Sequence, residues 1–401
     1  GKKKPIAVVK SGRTQAGARA ASSHTGSLAS LDVAVDALFK QVGVIRVDTL
    51  EQLFDVTSLL ANQPPPKGRR VGIITNAGGP AILAVDALES EGLEVPQFSD
   101  ELQAKMKEYL MADASTNNPV DMIASAGPEE YKKTIQLLLD SDEIDSLITL
   151  FIPASDQGVT ETAISIREAV EEVDFDKTFM SVYMHSGGAP AELSSKKVTF
   201  PVFSFPEPAA RALRKAVEYQ EWQGKETGSP VDFDDIDREA AREIIDAAFN
   251  GDEEIDDEKG AWLDPDDVDA ILAAYGIDIP KAKVVETAAE AVEFWEEVGG
   301  SIVLKVVSPT AVHKSDVGGI ALDISGKEAI EAAFEQVTNA VDDAEGALVQ
   351  EFVSGGHEVL VGMVEDPNFG PLIVFGLGGV FVELIGDVAF RIHPLLSLIH
   401  I

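Results

Sequence analysis

The sequence predicts an α/β protein: helix-covered parallel sheets come first and a sheet-rich α+β half follows. Short β-branched runs alternate with helix-length segments from residue 6 to about residue 220, the spacing of strands joined by crossover helices. Beyond residue 282 strand signals outnumber helix signals, which suits a nucleotide clamp built from two lobes. The length, 401 residues, exceeds what one compact core usually holds, so two or three domains are expected.

Taken in order, residues 6–9 read as a buried strand and about 26–42 as a helix, with a small-residue loop between them. A strand at 44–47 and a helix at 49–60 follow; Thr49 is the expected N-cap, with Gln52 three residues on. Three prolines at 64–66 make a stiff linker. A new α/β pattern opens with a buried strand at 70–75, a tight turn at 76–80 and a helix at 81–91. Further strands are expected at 146–152, 179–183 and 202–203, with helices at 128–139, 159–173 and 206–220. Residues 232–258 carry thirteen acidic against two basic residues and read as a solvated connector containing a helix-like stretch at 238–249. After Asp264 as cap and Pro265 in the first helical position, helices are expected at 266–275, 288–298 and 327–341. Strands are expected at 282–285, 302–307, 347–352, 358–364, 372–375 and 381–383, with one more after the loop around His313.

Composition narrows the function. The net charge of −37 would repel nucleic-acid phosphate, and its spread along the chain reads as adaptation to a high-salt cytoplasm that screens the repulsion. No apolar run reaches membrane-spanning length. Cysteine is absent, which removes disulfides and thiolate metal sites. The abrupt start and the uncapped end, residues 396–401, both read as truncations.

Several segments carry chemistry. His24 lies among small residues where a strand gives way to a helix, and Thr25, Gly26 and Ser27 would offer backbone N–H groups at a helix start. A phosphate on His24 would be held by those donors rather than by lysines. The turn Thr75-Asn-Ala-Gly-Gly-Pro80 is either a tight turn or a second anion cradle, with the amides of Gly78 and Gly79 facing a negative group. Asn118-Pro-Val-Asp121 reads as a structural turn. Lys305 is read as ending a buried strand, a costly place for an ammonium unless an anion meets it. His313 lies in a loop backed by Gly318 and Gly319, either ordinary surface or a hinged phosphoryl carrier. Glu351, Phe352 and Val353 would present backbone groups and a carboxylate to an adenine edge, and Glu358 could reach a ribose. Glu383 and Asp387 are candidate Mg²⁺ ligands, or else solvent-facing acids of a hairpin.

Together Lys10-Ser-Gly-Arg13, Ser23-His-Thr-Gly26, Thr75-Asn-Ala-Gly-Gly79, Asn118-Pro-Val-Asp121, His313-Lys-Ser-Asp-Val-Gly-Gly319 and Phe375-Gly-Leu-Gly-Gly379 resemble the ADP-forming acetyl-CoA synthetases. These are also called acyl-CoA synthetases (NDP-forming) and belong with succinyl-CoA synthetase. The resemblance implies a fused form of haloarchaeal type. Residues 1–62 would be the later part of a flavodoxin-like ligase domain bearing phosphohistidine at His24. Residues 68–225 would be a second flavodoxin-like CoA-ligase domain sharing that phosphate through Gly78 and Gly79. An acidic linker, 226–260, would lead to a truncated ATP-grasp domain, 261–401, with His313 on a swinging loop. The family's CoA-binding domain and the acidic partner of His24 would precede residue 1, and an arginine is expected where His357 stands.

The implied reaction joins acetate, ATP and CoA into acetyl-CoA, ADP and phosphate, reversibly. Acetyl-CoA and phosphate give acetyl phosphate and free CoA; neutral His24 takes the phosphoryl group and releases acetate; His313 collects that group and carries it to ADP with Mg²⁺. Imidazole is largely neutral at pH 7, as a nucleophile must be. Two other readings stay open, a synthetase for succinate or another acid and a non-catalytic acyl-CoA or nucleotide sensor within a protein acetyltransferase; the fragment is expected to be inactive by itself. A cytoplasmic homo-oligomer acting on small molecules, without nucleic acid or membrane, is the expected setting.

Overall fold

The computed structural model describes residues 2–14, 16–17, 19, 32–153, 158–226, 228–251, 263, 265–308, 318–366, 368–379 and 388–396. The chain divides into two compact units, one of Gly1–Val231 with Val359–Ile401 and the other of Asp232–Glu358.

The first unit opens with a parallel pair, β1 (Ile6–Val9) and β2 (Val44–Val47), joined through α1 (Asp32–Val42). Arg46 on β2 reaches back to Asp32 (2.7 Å) and Asp36 (3.3 Å) on α1 and ties the strand to its helix. Contrary to the expected buried strand, β1 is half-exposed, with Ile6 48% exposed. α2 (Leu50–Asn62) is capped as anticipated: Thr49 Oγ1 accepts from the Gln52 amide at 3.1 Å.

A five-stranded parallel sheet follows in the order β4 (Val120–Asp121), β3 (Val71–Thr75), β5 (Ser146–Phe151), β6 (Thr178–Tyr183), β7 (Val202–Phe203). Every residue of β3, β5 and β6 is buried. Successive side chains of these strands point to opposite faces. Ile74, Leu147, Phe151, Phe179 and Tyr183 join one apolar cluster, with Leu102 of α4 (Asp100–Lys107), Tyr131 and Leu138 of α5 (Pro128–Asp140) and Ile166 of α6 (Val159–Glu171). Ile73, Ile148, Leu150, Met180 and Val182 join the other, with Leu88 of α3 (Gly78–Ser90) and Leu213 of α7 (Pro206–Gly224). Ile45, Val47, Val56 and Leu59 belong to that second cluster, so residues 44–59 share a core with the five-stranded sheet. The Arg70–Asp145 pair closes the amino-terminal edge. Arg70 Nη2 meets Asp145 Oδ1 at 2.8 Å, and the Arg70 amide donates to Oδ2 at 3.0 Å. Burial pushes the Asp145 carboxyl up, but the Arg70 hydrogen bonds and charge outweigh it and hold it below the usual range.

Also in this unit is an antiparallel meander of β12 (Val359–Asp366), β13 (Gly370–Leu377) and β14 (Val388–Ile392). β13 is longer than the sequence predicts, and the strand expected at 381–383 lies outside the described residues.

The second unit begins where a solvated linker is expected. There α8 (Arg238–Gly251) packs on α9 (Pro265–Ala274): the Asp237 amide donates to the Ala274 carbonyl at 2.7 Å, and Ala241 is buried. The acid-rich stretch is therefore partly a docked helix, because its alanines and isoleucines recur at helical spacing. An antiparallel sheet follows in the order β10 (Ile320–Ile324), β9 (Ile302–Val307), β11 (Gly346–Glu351), β8 (Ala282–Val285). One of its faces is covered: Ile302, Leu304, Ala347, Val349 and Val285 pack on α10 (Ala288–Val298) and α11 (Lys327–Thr338). A capping box on Thr287 and Glu290 starts α10, and Gly299, at φ +72°, ends it.

Candidate functional site

In the first unit the strand order contains a reversal. From β3 the chain moves outward to β4, then crosses back to β5 on the other side of β3. In an open parallel sheet, such a switch leaves a crevice beyond the carboxyl ends of the two inner strands. The loop after β3 is fixed across that crevice. Asn76, 5% exposed, donates through Nδ2 to the Ile152 carbonyl (2.8 Å), and its Oδ1 accepts from the Ile152 amide (3.0 Å). The Ala77 amide donates to Thr75 Oγ1 at 3.0 Å.

From this loop α3 springs at Gly78, three residues earlier than the expected helix. Gly78 and Gly79 are thus its first turn rather than a turn before it. Ala77, at the N-cap, provides no side-chain hydrogen bond, and the first turn holds no acidic residue. An uncapped helix start carries partial positive charge and unsatisfied N–H groups, the requirements for holding an anion. A Cβ on Gly79 would meet nothing within 4 Å, and the residue is exposed. A Cβ on Gly78 would stand 2.8 Å from Asp121 Oδ2, so a side chain here would require the Asp121 carboxylate to shift.

Asp121 thus stands beside the helix start, and its Oδ1 accepts from the Ile123 amide at 3.0 Å. Ile123 has φ +62°, a strained setting for a β-branched residue. Asn118 has the structural role expected of its turn. It accepts from the Ile73 amide (3.0 Å) and donates to the carbonyls of Val71 (2.8 Å) and Pro96 (3.0 Å). Beneath the crevice the fully buried Tyr131 donates to the Leu150 carbonyl at 2.8 Å. Burial, with the nearby Tyr183 and Asp121, pushes its phenol well above the usual range, so it remains a donor.

In the second unit the face of the antiparallel sheet away from the helices carries Lys305. Contrary to its expected place at a strand end, Lys305 is the fourth of six residues in β9. Its Nζ donates to Gln350 Oε1 on β11 at 2.9 Å. Strand alternation sets Val284, Val303 and Leu348 on the same face, giving one ammonium on an apolar bed. Glu351 alternates to the helix-bearing face, paired with Ile302, so it does not join Lys305 there. The expectation that residues 351–353 offer free backbone donors is corrected for two of them. The Glu351 amide donates to the Lys281 carbonyl (2.8 Å) and the Phe352 amide to the Ser301 carbonyl (2.9 Å), because the strand end is still held by its neighbours. Val353 and Glu358 are exposed.

His24, Thr25, Gly26, Ser27, His313, Glu383 and Asp387 lie outside the described residues. Gly318 and Gly319, behind His313, are described: Gly318 has φ +75°, and the Gly319 carbonyl accepts from the Val306 amide at 2.8 Å. Among the described residues no group of three or more His, Cys, Asp or Glu could hold a metal ion, and no helix is long and apolar enough to cross a membrane. Sequence reasoning missed Asn76, Asp121 and Gln350. All three lie within or beside segments that the sequence singles out, the turns at 75–80 and 118–121 and the stretch ending at Val353, but nothing local assigns them a role.

Family models match in three places: a succinyl-CoA ligase-like flavodoxin domain at 1–60, a ligase-CoA domain at 71–173 and an ATP-grasp domain at 254–398. The last match crosses the boundary between the two compact units at Glu358 and Val359. An ADP-forming acetate–CoA ligase of Archaeoglobus fulgidus is 36% identical over 98% of this chain and 56% of its own length. An ADP-forming 4-hydroxybutyrate–CoA ligase of Nitrosopumilus maritimus is 31% identical, again over 98% and 56%. A solved acetyl-coenzyme A synthetase of Ca. Korarchaeum cryptofilum, in complex with phosphate and ADP, matches with a TM-score of 0.50 and 27% identity, over 55% of this chain and 48% of that one. The chain thus spans about half the length of the curated relatives it matches. With flavodoxin-like, CoA-ligase and ATP-grasp domains in this order and identity sustained along nearly all of it, the chain belongs to the ADP-forming acetyl-CoA synthetase family.

Proposed function

We propose that the protein containing this chain is an acid–thiol ligase, which interconverts a short acyl acid, ATP and CoA with acyl-CoA, ADP and phosphate. The observation that carries the reading is the identity along 98% of the chain with two ADP-forming CoA ligases. Those relatives are named for acetate and for 4-hydroxybutyrate, so the acid is assigned only as a short one.

In this reading residues 1–62 and 68–225 are the two ligase domains, 226–260 connects them to an ATP-grasp domain at 261–401, and the whole acts as a cytoplasmic homo-oligomer. His24 attacks the phosphorus of the acyl phosphate. Its phosphoryl group is held by the amides of Thr25, Gly26 and Ser27 from one side and of Gly78 and Gly79 from the other. The uncapped start of α3 supports the second half of that cradle. His313 accepts the group and delivers it to ADP, whose phosphates meet Lys305 and whose base and ribose meet Val353 and Glu358. Glu383 and Asp387 would hold Mg²⁺, which would neutralise phosphate charge there. The net charge of −37 suits a high-salt interior.

The test incubates the full-length protein with γ-labelled ATP and Mg²⁺. Acid-labile, base-stable label is expected, lost in His313→Ala and confined to the His313 segment in His24→Ala. A protein that takes up no label, or a doubly substituted one that keeps it, overturns the assignment and returns the chain to a binding role.

A further inference from the structure

Most half-buried cations among the described residues pair with carboxylates, but Lys177 and Arg391 donate to the backbone carbonyls of Leu139 and Phe390, and Lys305 donates to a side-chain amide. Arg46 lies against Asp32 and Asp36, Arg70 against Asp145, and Lys132 against Glu172 at 2.8 Å. Such pairings are what 69 acidic against 32 basic residues would produce by default. Lys305 instead donates to the neutral amide oxygen of Gln350, and among the described residues no carboxylate pairs with it. The contact is diagonal across two strands: Lys305 stands opposite Leu348, and Gln350 opposite Val303. Both side chains rise from the face that α10 and α11 leave open, beside Val303 (6% exposed) and Val284 (53% exposed).

A lysine on a four-carbon stem samples many rotamers, and a carboxylate neighbour would both fix it and cancel its charge. An amide oxygen fixes it and leaves the charge intact. We propose that Gln350 is a positioning residue: it holds the Lys305 ammonium on the open sheet face, uncompensated, so that a nucleotide phosphate becomes its counter-ion. The inference rests on the reading of Lys305 as a nucleotide-phosphate contact. The reason for glutamine rather than glutamate is electrostatic. Glutamate at 350 would form an ion pair in advance and would set a negative charge against the incoming phosphate.

Calorimetric titration of the 401-residue chain with ADP and Mg²⁺ tests this, on the parent and on Lys305→Met, Gln350→Leu, Gln350→Glu and the Lys305→Met/Gln350→Leu pair. Lys305→Met should weaken ADP by about tenfold or more, the loss expected for one charge-assisted hydrogen bond. Gln350→Glu should match that loss, and Gln350→Leu should weaken binding by roughly threefold while unfolding at the parent temperature. In the Lys305→Met background the leucine change should add nothing, a coupling that a merely structural glutamine would not produce. If Lys305→Met binds ADP like the parent, or the parent binds none, the phosphate reading of Lys305 falls and the inference with it. If Lys305→Met weakens binding but both Gln350 variants match the parent, only the positioning role is overturned.

Discussion

β5 and β9 are both six-residue inner strands, and they are used in opposite ways. Every residue of β5 is buried, because parallel neighbours flank it and helices cover both faces. β9 has antiparallel neighbours and helices on one face only, so half-buried Lys305 can rise from its middle. The location of each candidate site follows from this difference. Where both faces are covered, a ligand can be met only beyond the strand ends, at Gly78 and Gly79. Where one face is open, the strand itself can present a side chain. The two candidate sites also differ in what they could offer an anion, backbone amides and a helix dipole in one case and an ammonium in the other.

Substitutions can break or sharpen that contrast. The largest effect is expected in β5, where Leu147 and Ile148 are neighbours on opposite, equally buried faces. Leu147→Ala and Ile148→Ala should each cost about 2–5 kcal/mol by chemical denaturation, and a neutral result at either would refute the two-faced core. Next is Tyr131→Phe. It leaves the Leu150 carbonyl without its buried donor and should cost about 1–3 kcal/mol; an unchanged midpoint would mean that this hydrogen bond contributes nothing.

Asp145→Asn should cost about 1 kcal/mol at neutral pH, since solvent reaches the 42%-exposed Arg70 side of the pair. Its native carboxyl lies below the unfolded value of 3.8, so the pair's contribution is complete above that pH and fades as pH falls through the lower native value. Parent and variant should therefore converge in strong acid, and a difference that grows there would reverse the assignment. The smallest effect is expected on the open face. Val284→Ala, at a 53% exposed site, should stay within about 0.5 kcal/mol, against roughly 1–3 kcal/mol for the adjacent, 1% exposed Val285. Equal costs at the two would mean that both faces of the antiparallel sheet are covered after all.

Legibility in the sequence tracked the range of the interaction. The β-branched run at 71–75 and the Thr49 cap depend on neighbours within a few residues, and both were readable. α4 escaped notice although Ser99 caps it through the Leu102 amide, because its polar sequence shows little apolar periodicity. β4, two residues long, read as a turn, since its pairing with Ile74 and Thr75 lies some 45 residues away in sequence. The start of α3 was misplaced because glycines signal turns locally, whereas here they open a helix.

From its residues alone the chain determined its fold class, its family and the glycines and lysine around which the candidate sites form. These depend on hydrophobic period, on backbone permissiveness and on motif order, all properties of contiguous segments. Tertiary structure alone decided that Asp121 stands against Gly78, that Asn76 joins two strand ends and that Gln350 holds Lys305. Each of those contacts is made by strand order or register between segments far apart in the chain, and no local pattern encodes which side chains a register brings face to face.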